Sequence, residues 1–416
     1  MQVVPYNLLV LVEPSYNGDF MQLEKFPKNV IRYAVVLFLV GYFRGVLKIS
    51  FYQVSTKWGP ELTPFQSHVV KVISYVFPLL LVYVSGILAD KYGRRLVWSA
   101  SLFVYGGGMV GLGALYLEPS HPLAMFASFE SLCAATVLFS FPSALAISSV
   151  AWLFDHEGKK GLKNAHGLLY ILSALPILAG IIIQLEGSLN TGTNLMLTGV
   201  IALVAGGLVV TFPENYGSQL SWKETNKTVV NQFISKRVLQ LIVAYSIFMG
   251  FPLAVSGSAM VHFMSMTSDF TPELFTPSYI IFIAVSLCVG ILILLMKRID
   301  YKKLIVYPMV IIIIFYFLLP FPPTILWFFI LDGVYLFGLF LIQIGIILLV
   351  NDSITENRAT ALAVMTLLMA IPTLLTFFWN MVLDTIEWEM ACVIAGALAI
   401  ISLVYLNQAV KIHEEQ

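Results

Sequence analysis

In a chain of 416 residues, 59% hydrophobic side chains, only 11% charged ones and a mean hydropathy of +0.89 exclude an ordinary soluble protein, where charged residues make up about a quarter. The 23 basic and 23 acidic residues cancel, which leaves no bulk attraction to nucleic acid. A polytopic membrane protein remains, and in such a protein the placement of charge says more than its sum.

The stretch 1–29 is polar, with no base before Lys25, and its one apolar run, Tyr6 to Val12, is too short for a secretory signal. It reads as a cytoplasmic lead, so the first span must start insertion itself. Apolar runs of span length then fall at about 30–51, 69–88, 95–117, 122–152, 165–185 and 195–212. A polar linker over 213–237 follows. The second set falls at about 238–260, 277–296, 303–320, 324–350, 360–383 and 388–409, before a tail at 410–416. The expected fold is an all-α membrane protein of twelve transmembrane helices in two six-helix bundles, 30–212 and 238–409, related by a parallel repeat.

The bases orient it. They cluster before the first run (Lys25, Lys28, Arg32), in alternate connections (Lys91 to Arg95, Lys159 to Lys163, Lys223 to Arg237, Lys297 to Lys303, Arg358) and in the tail (Lys411). Only Arg44, Lys48, Lys57 and Lys71 of the 23 lie elsewhere. By the positive-inside rule the basic side is cytoplasmic, which places both termini inside. Cys133, Cys288 and Cys392 sit in three different apolar runs, and His121, His156, His166 and His262 are scattered. Neither set has disulfide or metal spacing, so no metal or cofactor is expected. No cluster of nucleophile, base and metal suggests an enzyme.

Between the second and third runs stands Gly86-Ile-Leu-Ala-Asp90-Lys-Tyr-Gly93-Arg94-Arg95-Leu96, one acid and three bases in a tight turn. Gly86 permits close approach of a neighbouring helix, Gly93 permits a turn conformation closed to other residues, and Asp90 is a carboxylate that a helix N-terminus would attract. This stretch resembles the signature loop of the major facilitator superfamily. Phe212-Pro213-Glu214 and Asp155-His-Glu-Gly-Lys-Lys160 are similar to further family traces, while the second-half copy, Lys297-Arg298-Ile-Asp300-Tyr-Lys302-Lys303, keeps charges without the glycines. The resemblance implies a conformational gate made of Gly86, Asp90, Gly93, Arg94, Arg95 and Asp155. In it Asp90 receives the N-terminus of the eleventh helix near Thr360, and Arg94 pairs with Asp155.

Some charges lie at membrane depth. Arg44 is about 14 residues into the first run, roughly 21 Å along it, and Lys48 follows at i+4 on the same face. Glu130 and Asp332 each lie about eight residues into a run, the fourth and the tenth, which correspond under the repeat. Such charges cost several kcal/mol unless they meet water, a counter-charge or a ligand. A packing ion pair of Arg44 with Glu130 answers that cost. So does a site in which Arg44, Lys48 and Glu130 hold substrate, while Asp332 or Glu130 takes up a coupling proton. Tyr42-Phe43-Arg44-Gly45 also resembles the arginine-bearing first helix of organic-anion facilitators, although the seventh run lacks their second base. Pro176 and Ala179-Gly180 echo the drug/proton antiporters.

The expectation is therefore a monomeric, proton-coupled secondary transporter in the plasma membrane, in contact with lipid. It would move a small organic solute, organic anions included, by alternating access. Proton-driven efflux of apolar compounds and a non-transporting receptor stand as alternatives.

Overall fold

The computed structural model describes residues 27–39, 64–115, 129–138, 141–186, 191–217, 220–266, 275–321, 324–383 and 385–416. All regular structure among them is helical, as it must be where hydrocarbon leaves the backbone no partner but itself. The helices are α1 (28–39), α2 (Pro64–Tyr92), α3 (Arg94–Leu115), α4 (Phe129–Leu138), α5 (Phe141–Glu186), α6 (Thr191–Val210) and α7 (Trp222–Ser235). After them come α8 (Arg237–Met266), α9 (Phe275–Leu295), α10 (Tyr307–Leu318), α11 (Ile325–Ser353), α12 (Arg358–Leu383) and α13 (Trp388–Glu415). Of the described residues, Arg94–Leu115, Gly192–Val210, Arg237–Ala259, Leu326–Ser353 and Trp388–Glu415 are long and apolar enough to cross a membrane.

Two elements depart from the pattern of apolar runs. The end of the fourth run and the whole of the fifth form one element, α5, broken at Gly158, whose φ of 63° and ψ of −163° turn the chain between two helices. The polar linker contains a helix, α7, that hydropathy passes over. Its N-terminus is a capping box: the Ser221 side chain accepts from the Glu224 amide, and the Glu224 carboxylate accepts from the Ser221 amide. Thr225, Val229 and Gln232, at i, i+4 and i+7, form its buried face.

An aromatic cluster near the basic end of the first half sets the frame for the site. Trp98 of α3 lies 5.7 Å from Tyr33 of α1, 5.8 Å from Trp152 of α5 and 5.7 Å from Phe212, measured between ring centroids. Trp152 Nε1 donates to the Pro213 carbonyl at 2.7 Å, which ties the start of the linker to α5. Large rings with a satisfied N–H make a rigid platform, and Asp155 projects from it less than one turn past Trp152.

Among the described residues the first half, α1 to α6, meets the second, α8 to α13, chiefly along two seams. In one, α2 crosses α12 so closely at Gly86 that a Cβ there would stand 2.6 Å from the Ala363 Cβ and 2.8 Å from the Ala359 carbonyl oxygen. In the other, α5 crosses α9, and a Cβ on Gly290 would stand 2.7 Å from the Gly167 carbonyl oxygen. Small residues let the backbones touch, which is how helices associate when lipid removes the hydrophobic drive.

Candidate functional site

At the basic end of the α2/α12 seam, α12 begins after Asn357, which holds a left-handed φ of 47°. The first amides of a helix lack partners within it, and here a side chain from the other half supplies one. The buried Asp90 carboxylate accepts from the Thr360 amide at 2.8 Å, the Thr360 hydroxyl at 2.8 Å and the Ala359 amide at 3.3 Å. A carboxylate at a helix N-terminus gains from both the dipole and charge-assisted hydrogen bonds.

Arg94 balances that charge. Its guanidinium donates to Asp90 at 3.0 Å and to the Ala151 carbonyl at 3.2 Å, and it pairs with Asp155. Asp155 in turn pairs with Arg358, the first residue of α12, which also donates to the Ile354 carbonyl at 2.8 Å. The result is a chain of alternating charge, Asp90–Arg94–Asp155–Arg358, with its first and last members in different halves. Gly93 turns the loop with a φ of 114°. Arg95, on the adjacent position, grips the linker through Glu214 at 3.2 Å and the Phe212 carbonyl at 2.9 Å. The linker also closes over the loop, because the Gly217 amide donates to the Asp90 carbonyl at 2.9 Å.

A second cluster joins the halves past the Gly158 turn. The Asp352 carboxylate at the end of α11 accepts from Lys159 of α5 at 2.6 Å, His413 of α13 at 2.9 Å and Tyr301 at 3.3 Å. Lys163 adds a 2.5 Å bond to the Met296 carbonyl at the end of α9. Part-exposed pairs contribute up to about 1 kcal/mol each, so Asp352→Asn is expected to speed hydrogen exchange several-fold over Lys302–Val306 and the Gly158 turn. Unchanged exchange in both segments would show that the cluster closes nothing.

The structure thus brings together all six residues of the expected gate. Sequence reading did not assign Arg358, Glu214, Lys159, Asp352 or His413 to it. The Phe212-Pro213-Glu214 trace was a signal for Glu214. Asp352 carried none, since its partners lie 193 and 61 positions away.

Of the charges expected at membrane depth, only Glu130 and Asp332 fall among the described residues. Arg44 and Lys48 lie outside the described residues. Glu130 stands exposed in the first turn of α4. Asp332 is half-buried in the second turn of α11, 29 residues long, and no hydrogen bond or ion pair to it occurs among the described residues. One turn further, Tyr335 shares a 3.0 Å hydroxyl contact with Ser256 of α8 and stacks 4.5 Å from Phe315 of α10, while Tyr316 donates to the Pro252 carbonyl at 2.7 Å. Among the described residues no group of three or more His, Cys, Asp or Glu side chains could hold a metal.

The family model of the Major Facilitator Superfamily matches residues 33–377 of this chain. No curated protein matches it. Among solved structures it is similar to the human organic anion transporter MFSD10 (TETRAN), with 12% identity, a TM-score of 0.68 and coverage of 91% of this chain and 100% of that one. It is also similar to the transporter FucP in the outward conformation, with 14% identity, a TM-score of 0.69 and coverage of 92% and 98%. A variant of the E. coli fucose:proton symporter FucP gives 11% identity, a TM-score of 0.67 and coverage of 91% and 98%. At such identities these likenesses speak for the fold.

Proposed function

This chain belongs to the Major Facilitator Superfamily, a family of membrane transporters rather than enzymes, and from that premise we propose that it is a proton-coupled carrier of a small organic solute, organic anions included. It works by alternating access in the plasma membrane, as a monomer, with its basic face and both termini in the cytoplasm. The gate at that face is the Asp90–Arg94–Asp155–Arg358 chain with Gly86, Gly93 and Arg95. Its breaking and remaking accompany each cycle.

The observation that carries proton coupling is Asp332. A carboxylate two turns inside an apolar helix, with no base beside it among the described residues, is costly when charged. Protonation removes that cost, and water entering from one side restores the charge. Arg44 is the proposed main anion contact, with Lys48 and Glu130 as further members of the site, because a guanidinium grips a carboxylate or phosphate by two parallel bonds. The organic anions of MFSD10 and the proton of the fucose symporter are chemistries carried by proteins of this same fold.

Proteoliposomes with an imposed proton gradient, screened with anionic and cationic compounds, test the proposal. Gradient-driven accumulation of an anion is the expected result; export of apolar cations would instead establish efflux, and flux of neither class a receptor. Asp332→Asn mimics the protonated form, so it is expected to keep substrate exchange and to lose accumulation. If accumulation survives in Asp332→Asn and is lost in Glu130→Gln, the proton site lies on α4. Arg44→Lys is expected to weaken anion binding by about tenfold or more, through loss of one of two charge-assisted bonds; wild-type affinity would favour a packing ion pair.

A further inference from the structure

The linker helix α7 has a face the gate does not use. Its buried side, Thr225, Val229 and Gln232, lies against the α2/α12 seam, where Gln232 donates to the Glu356 carbonyl at 2.9 Å and accepts from the Thr355 amide at 3.1 Å. At 100° per residue, Lys223, Lys227, Val230 and Ile234 point the opposite way. All four are exposed, Val230 by 51% and Ile234 by 69%. Trp222 lies on the flank between the two faces, nearer the buried one, and is 45% exposed.

The depth of α7 decides what that face meets. Trp222 packs edge-on against Tyr83 of α2, at 6.3 Å between centroids, and Asn226 accepts from the Tyr83 hydroxyl at 3.0 Å. Tyr83 lies nine residues before Tyr92, the last residue of α2, which is about 13 Å along the helix. The polar zone on each side of a bilayer's hydrocarbon core is only about 5–8 Å deep. With Tyr92 at the bilayer surface, Tyr83 would lie past that polar zone, so α7 is held alongside α2 and not beyond its end, with its outward face turned away from the bundle.

We propose that the outward face of α7 binds anionic phospholipid headgroups of the leaflet at the basic face, with Lys223 and Lys227 on the phosphates and Trp222, Val230 and Ile234 at the acyl boundary. Charge complementarity selects the occupant. Arg237 and Lys91 are also exposed, and the bases outnumber Glu224, the one acid of the helix, which stays ionised in its own cap because hydrogen bonds from Ser221 hold its carboxyl below the usual range. A face of bases and aliphatic residues, flanked by a half-exposed tryptophan, is the composition of a helix lying in the membrane interface. The proposal rests on the chain being a membrane protein with its basic face at one bilayer surface, and not on the substrate or the coupling ion.

The test uses the full chain in phosphatidylcholine vesicles doped with phosphatidylglycerol or phosphatidylcholine, each carrying a nitroxide near its headgroup. The emission lost on Trp222→Phe isolates the Trp222 signal. Nitroxide phosphatidylglycerol is expected to quench that signal several-fold more effectively than nitroxide phosphatidylcholine. The preference should vanish in Lys223→Gln/Lys227→Gln, persist in Lys223→Arg/Lys227→Arg, and decline with added salt. Equal quenching by the two probes, no quenching of Trp222, or a preference that survives the glutamine pair would each overturn it. If the glutamine pair fails to fold, the salt titration of the unmodified chain decides alone.

Discussion

Replacing Gly86 by leucine is expected to force the basic end of the α2/α12 seam apart. A single Cβ at this position would already stand 2.6 Å from the Ala363 Cβ and 2.8 Å from a backbone oxygen of α12, closer than real contacts allow. Backbone cannot rotate aside as a side chain can, so the helices must separate. Overpacking of this kind costs about 1–3 kcal/mol for a small intrusion, and leucine adds three further carbons. A seam held apart also takes Ala359 and Thr360 out of reach of Asp90. The closed arrangement should therefore lose most of its population, since each 1.4 kcal/mol is about tenfold. Hydrogen–deuterium exchange of the segment from Asn351 to Ala363 is the measurement, with alanine expected between glycine and leucine. Protection equal to the unmodified chain in the leucine variant, at unchanged oligomeric state in detergent, would mean that Gly86 does not bring the halves together.

Asp90→Asn is expected to have the next largest effect, through charge and not volume. The carboxylate accepts four hydrogen bonds, three from the start of α12 and one from Arg94. Asparagine has one acceptor oxygen, and its NH2 group must face either an amide or a guanidinium, both of them donors. Bonds to charged groups contribute about 1.5–3 kcal/mol each, so a loss of about 3 kcal/mol, roughly a hundredfold in the closed population, is the expected scale. The interaction joins the two halves, so under the proposed alternating access it is made in one state and broken in the other. The mutant should slow turnover while substrate binding survives. Binding at normal affinity with normal turnover and unchanged exchange at Thr360 would count against the gate. Loss of binding would place Asp90 in the substrate site instead.

Much of this molecule was legible in its sequence for a local reason. A run of apolar residues partitions into a bilayer whatever its neighbours are, so hydropathy reports the membrane helices directly. The signature stretch is local as well: Gly86, Asp90, Gly93, Arg94 and Arg95 lie within ten positions, and their spacing is visible without a fold. The helix α7 was legible in principle too, since Ser221 and Glu224 have capping-box spacing and Thr225, Val229 and Gln232 share one face. Its polar residues outnumber its apolar ones, so it gives no signal to a search for spans.

The pairings across the two halves were not legible in the residues alone. Asp155 reaches Arg358 across 203 positions and Lys159 reaches Asp352 across 193. Any of several acids on that face could have met either base. Which pairs form depends on how far α2 advances on α12 and α5 on α9, and that is set by glycine contacts of a few ångströms summed over two docked surfaces. Insertion and helix formation are short-range consequences of each segment's own chemistry. The charge network across the halves is a long-range consequence of packing, and so Asp352 finds its three partners only where the two halves dock.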